Sequence, residues 1–137
     1  MPENPTPHAD GFVDAFVHRF QRERARDLLR RSGFGGLIAD GIYRSIDERW
    51  IETIVPGQQT APKIAAALHA LGAPASCVVL DGRSGPTEVE VPLAGALESI
   101  VGWDDDVVVS CLAGELAYLE TEGVSARYIL HRPASRR

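Results

Sequence analysis

The spacing of apolar side chains changes once along this chain, and that change constrains the fold more than any other feature. Up to about residue 71, apolar residues recur every three or four positions. Phe12, Val13, Phe16, Val17, Phe20 and Leu28 form one such set, Ile46, Trp50 and Ile54 a second, and Ile64, Leu68 and Leu71 a third. This spacing gathers side chains on one side of a helix. From Ser76 onward the period shortens. Cys77-Val78-Val79-Leu80 is a continuous apolar run, and Thr87-Glu88-Val89-Glu90-Val91 alternates strictly, as strands do. Helices followed by clustered strands predict the α+β class. The expected architecture is three N-terminal helices packed on a mostly antiparallel sheet of about five strands, with one short inserted helix.

Local signals set the expected boundaries. The first helix is expected over residues 11–32, with Asp10 as N-cap and Gly33 just past its end. Residues 33–43, rich in glycine, read as a connector packed on the body. Ser45 and Glu48 have capping-box spacing, which predicts a second helix stopped at Pro56. Thr60 caps a third helix, with Pro62 in its first turn. Strands are expected at 76–81, 87–91, 107–112, 115–121 and 126–131, with a short helix opened by Pro92 and closed by Gly102. Ala113-Gly114 and Glu122-Gly123 supply the turns of the final meander. The domain is expected over 10–132, between a flexible proline-rich tail at 1–9 and a short basic tail at 133–137.

Of 137 residues, 45% are hydrophobic, enough for one core without a disulfide or metal staple. No apolar run approaches the roughly 20 residues of a spanning helix. Met1-Pro2-Glu3-Asn4-Pro5 lacks the basic and apolar regions of a secretion signal. A soluble, cytoplasmic protein is expected, with Cys77 and Cys111 as buried thiols. Thirteen of the fourteen basic residues are arginine, a bias expected of a G+C-rich bacterial genome.

The net charge of −5 is segregated. Residues 19–31 carry six arginines against Glu23 and Asp27, whereas residues 33–132 carry six basic and fourteen acidic side chains. Arg19, Arg22, Arg26 and Arg30 share one helical face. With Arg83 they are the candidate binding residues, because a guanidinium fork fits phosphate or carboxylate. The same arginines also suit ion pairs on a solvated face. The acidic body disfavours nucleic acid.

Asp81, Glu88 and Glu90 are the candidate acid–base carboxylates. The two glutamates share a strand face about 7 Å apart, on the rise per residue. Ser84, Ser110, Cys77 and Cys111 are the available nucleophiles, with His18, His69 and His131 as bases, but no nucleophile elbow selects among them. Asp104-Asp105-Asp106 reads as a solvated turn, since consecutive extended residues cannot aim at one cation. Gln58-Gln59-Thr60 reads as a polar loop before an N-cap, whose free N–H groups could hold an anion. Histidine and cysteine spacings fit no metal, and no phosphate or dinucleotide loop is present, so no metal and no cofactor is expected.

These observations favour a non-catalytic binding or accessory domain, of regulatory, inhibitor or immunity type. It would contact a basic protein partner through charge complementarity. Homo-oligomerisation stays open. A small enzyme or small-molecule-binding domain using the acidic cluster is the alternative, and nucleic-acid contact through the arginine helix is the second.

Overall fold

The structure, a computed structural model, describes residues 6–85, 87–122 and 126–133. Residues 1–5 of the tail expected at 1–9, residues 134–137 of the tail expected at 133–137, Pro86, and Gly123 of the last turn lie outside them. Among the described residues, four α-helices run Pro7–Phe16 (α1), Arg22–Ala39 (α2), Ala61–Ala70 (α3) and Leu93–Ile100 (α4). Six strands run Ile51–Thr53 (β1), Ser76–Leu80 (β2), Glu90–Pro92 (β3), Val107–Leu112 (β4), Leu116–Glu120 (β5) and Arg127–His131 (β6). They form one sheet in the order β1-β6-β5-β4-β2-β3, antiparallel at every pairing. This is the α+β class that the change of period implies.

Helices cover both faces of the sheet. Phe12, Val13 and Phe16 of α1 and Phe34 and Leu37 of α2 pack on Val78, Leu80, Val108, Ala117, Leu119 and Leu130. Ile64 and Leu68 of α3 and Leu93 and Leu97 of α4 pack on Cys77, Val109, Cys111, Leu116, Tyr118 and Ile129. Strands buried on both faces need continuous apolar runs rather than alternation. That is why Val107-Val108-Val109 and Leu116-Ala117-Tyr118-Leu119 occupy the centre.

The structure departs from the expected layout in four places. The single helix of 11–32 is two helices, and α1 starts at Pro7, within the stretch expected as a tail. Between α1 and α2 the chain extends: Val17 bridges Ile46, the His18 N–H donates to the Ser45 carbonyl at 2.7 Å, and the Asp47 N–H donates to the Phe16 carbonyl at 2.8 Å. This pairing overrides helix continuation although no proline or glycine intervenes. It swings Phe20 out of the stripe to 77% exposure, stacked on His18. Second, Gly33 adopts φ 68°, ψ −168°. It kinks α2, after which residues 34–39 are helical rather than a connector.

Third, the second expected helix is absent. The Ser45 hydroxyl donates to the Ile42 carbonyl, Asp47 caps a single 3-10 turn, and Ile51–Thr53 becomes β1 beside β6. Ile46, Trp50 and Ile54 lie four residues apart, which is also two strand periods, so their spacing fits either element. Fourth, the strand expected at 87–91 pairs only over Glu90–Pro92; Val89 is 69% exposed, and Val91 is half-buried opposite Cys77.

Candidate functional site

β2 ends at Leu80, where its backbone must turn. The Asp81 carboxylate accepts the Arg83 N–H and the Ser84 hydroxyl oxygen accepts the Asp81 N–H, both at 2.8 Å. Side chains thereby replace the ladder bonds lost at the strand end. The chain returns past Glu88, whose two carboxylate oxygens accept the backbone N–H groups of His8 and Ala9, each at 2.8 Å. The first N–H groups of a helix have no intrahelical partner, and a negative charge there is favoured by the helix dipole. Glu88 therefore caps α1 from eighty residues away in sequence. Beneath this contact His8 Nδ1 and Ser110 Oγ hydrogen-bond at 2.6 Å, with Ser110 buried.

Tying the 81–89 segment to α1 encloses a cleft of about 580 Å³. Its wall is apolar: Ala9 from α1, Leu29 and Phe34 from α2, and Val78 and Leu80 from β2. Its rim carries Arg30, Ser84, Thr87, Glu88 and the exposed Val89. That volume and the apolar lining with a few polar rim groups match ordinary ligand sites.

The three candidate carboxylates do not converge. Asp81 holds the turn, Glu88 caps α1, and Glu90 accepts from the Ser76 hydroxyl at 2.7 Å. Of the candidate binding arginines, only Arg30 lines the cleft. Arg30 also pairs with Asp27, as does Arg31, and the two guanidiniums hold the Asp27 carboxyl below its usual range, Arg31 having the larger effect. Arg26 pairs with Asp14 and Arg24 with Asp40. Arg22 donates to the Val17 carbonyl at 3.1 Å, and Arg19 lies 4.9 Å over the Phe20 ring. Arg83 is exposed on the turn after β2.

None of the nucleophile candidates meets one of the candidate bases His18, His69 and His131. Ser84 belongs to the turn, and burial pushes the Cys77 thiol up to about 11 and the Cys111 thiol to about 12. His69 Nδ1 meets the Ala73 carbonyl oxygen at 2.9 Å, His18 stacks on Phe20, and His131 lies on β6. Ser110 meets His8, the one histidine the sequence places in a tail and so passes over.

A second polar cluster had a readable signal. Glu120 keeps the parity of Leu116 and Tyr118, which places it on a buried face, and it is fully buried. Its carboxylate accepts the Tyr118 hydroxyl at 2.7 Å, the Gly102 N–H at 3.2 Å, the Asp104 N–H at 2.6 Å and the Arg127 Nε–H at 3.3 Å. Burial first, then Glu120, raises the Tyr118 phenol. Arg127 also donates to Asp104 and Gln59, and Gln59 donates to the Ile54 carbonyl. Asp104 and Gln59 thus serve this network, while Asp105 and Asp106 accept nearby backbone N–H groups.

Among the described residues, no cluster of three or more metal-ligating side chains occurs, and no helix is long and apolar enough to cross a membrane. The chain matches no family model, and neither a curated protein nor a solved structure matches it.

Proposed function

We propose that this chain is a non-catalytic binding domain acting through protein–protein contact, and that the cleft between α1–α2 and β2 receives an apolar side chain of the partner. The cleft carries this reading: an apolar wall, a polar rim and a volume suited to one large anchor. Anchors of this kind dominate many interfaces. The carboxylate that lines it adds support, because Glu88 is engaged in capping α1. The acidic excess of residues 33–132 favours a partner segment whose anchor is flanked by basic residues. Nucleic-acid contact has less support, since Arg24, Arg26, Arg30 and Arg31 already pair with Asp40, Asp14 and Asp27.

The test is an NMR titration of the labelled full chain with short peptides carrying one aromatic or branched anchor between arginines or lysines. The amides of Leu29, Phe34, Val78, Leu80 and Glu88 are expected to shift. Leu29→Trp, which fills the half-buried wall position, should abolish those shifts. Peptides that perturb only other surfaces, or bind L29W as well as the parent, would overturn the proposal.

A further inference from the structure

The geometry points to a covalent modification site at the heart of the sheet: Cys77 and Cys111 form a reversible cross-strand disulfide when a thiol–disulfide oxidant such as oxidised glutathione is present. This inference stands apart from the cleft, which lies on the other face.

Three observations place the two sulfurs together. In the β2–β4 pairing, Val78 stands opposite Ser110, Val79 opposite Val109 and Leu80 opposite Val108. Continuing that register by one residue sets Cys77 opposite Cys111. Both side chains are buried in the same cluster, beneath α3 and α4. The third observation fixes the type of pair. The Leu93 N–H donates to the Ala75 carbonyl at 2.8 Å, so Ala75 turns its backbone groups toward β3. Backbone groups alternate sides along a strand, so Cys77 also turns its groups toward β3, away from β4. Cys77 and Cys111 are therefore a non-hydrogen-bonded pair, the kind whose Cα atoms stand about 4.5 Å apart with side chains closest. A disulfide accepts Cα separations of roughly 4.4–6.8 Å. The pair falls within that range, so the bond can close without a large backbone movement. The register shift between Ser110 and Leu112 leaves Cys111 unpaired with β5, giving it local freedom to close the bond.

The chemistry balances with one oxidant. The Cys77 thiolate attacks a sulfur of oxidised glutathione, forming a mixed disulfide and releasing one glutathione thiolate. The Cys111 thiolate then attacks the Cys77 sulfur and expels the second. Two protein thiols are oxidised, one glutathione disulfide is reduced to two thiols, and the two protein protons pass to the departing thiolates. Burial keeps both thiols protonated at neutral pH, so attack in the folded state is slow and waits for the covering helices α3 and α4 to open.

The experiment refolds the full chain from urea in glutathione buffers of graded disulfide-to-thiol ratio, which bypasses the buried-thiol barrier, and quenches with iodoacetamide. The readout is intact mass. The expected product is a monomer lacking two hydrogens, with neither cysteine alkylated. It should form at an oxidant ratio at least about tenfold lower than for the same chain held in urea, because folding replaces a flexible loop with a fixed pair. Cys77→Ser and Cys111→Ser should instead stop at a single glutathione adduct or a free thiol. Equal oxidation in the folded and urea-held chains, or oxidation only to intermolecular dimers, would overturn the proposal.

Discussion

Arg127 Nε donates to Glu120 at 3.3 Å, and Glu120 has no exposed surface while the Arg127 side chain keeps only 11%. Removing one partner of such a pair leaves an uncompensated charge in the core. Arg127→Met should destabilise the fold by about 3–5 kcal/mol. Glu120→Gln keeps the shape and several acceptors, so it should cost less, roughly 1–3 kcal/mol. The double variant Glu120→Leu/Arg127→Met should lie closer to the parent than Arg127→Met alone, since no charge remains unpaired. Urea unfolding at pH 7 reads all three. An Arg127→Met loss below about 1 kcal/mol would mean that water reaches the pair.

Glu88 and Glu90 invite a second comparison, because their sequence environments look alike. Glu88 caps α1 through two N–H groups, whereas Glu90 makes one exposed contact with Ser76. Glu88→Gln should cost about 1–2 kcal/mol through the lost charge at a helix N-terminus. Glu90→Gln should stay within about 0.5 kcal/mol of the parent. Chemical denaturation separates them, and equal effects would contradict the capping role.

That contrast shows where sequence reasoning reached and where it stopped. The strands from β4 to β6 were readable because their apolar runs and Gly114 turn are local signals. α3 was readable because Thr60, Pro62 and the Ile64–Leu68 stripe agree with one another. The break after Phe16 was not, because it depends on Val17 meeting Ile46 and Asp47 meeting Phe16, contacts that no local window contains. The cleft was partly visible. Glu88 and Arg30 line it and are legible as charged residues, but the role of Glu88 depends on α1, whose first turn lies where three prolines suggest a tail. Glu120 shows the opposite case: parity along β5 places it inside, and a burial argument alone would have found it.

Asp47 gives a prediction for acid stability. Its carboxylate accepts the Arg49 Nη2–H at 2.7 Å and the Arg49 backbone N–H at 3.0 Å. The side-chain bond is the larger influence, and together they hold the carboxyl at about 2 instead of 3.8. A carboxyl whose pKa is depressed by folding stabilises the native state above the unfolded value. Its contribution fades as pH falls from about 4 toward 2. Because the Arg49 guanidinium is 69% exposed, the effect is screened, on the order of 1 kcal/mol. Asp47→Asn should therefore be less stable than the parent at pH 6 and nearly equal to it at pH 2. Parallel stability curves across that window would show that the pair contributes nothing.

A glycine in tight contact and one in open space should respond to alanine with opposite signs. A Cβ on Gly11 would stand 2.9 Å from the Gly114 backbone nitrogen, where α1 crosses the β4–β5 turn. Backbone cannot yield as a side-chain tip can, so Gly11→Ala must lift α1 and should cost about 1–3 kcal/mol. Because α1 forms one wall of the cleft, the same change should shift the amides of Ala9 and Glu88. Gly95 lies in the exposed interior of α4 with nothing within 4 Å of its added Cβ. Gly95→Ala removes unfolded-chain entropy without a clash, and should stabilise by roughly 0.5–1 kcal/mol. Thermal unfolding of the two variants reads the sign directly. A stabilising Gly11→Ala would mean that α1 sits farther from the turn than the 2.9 Å approach requires.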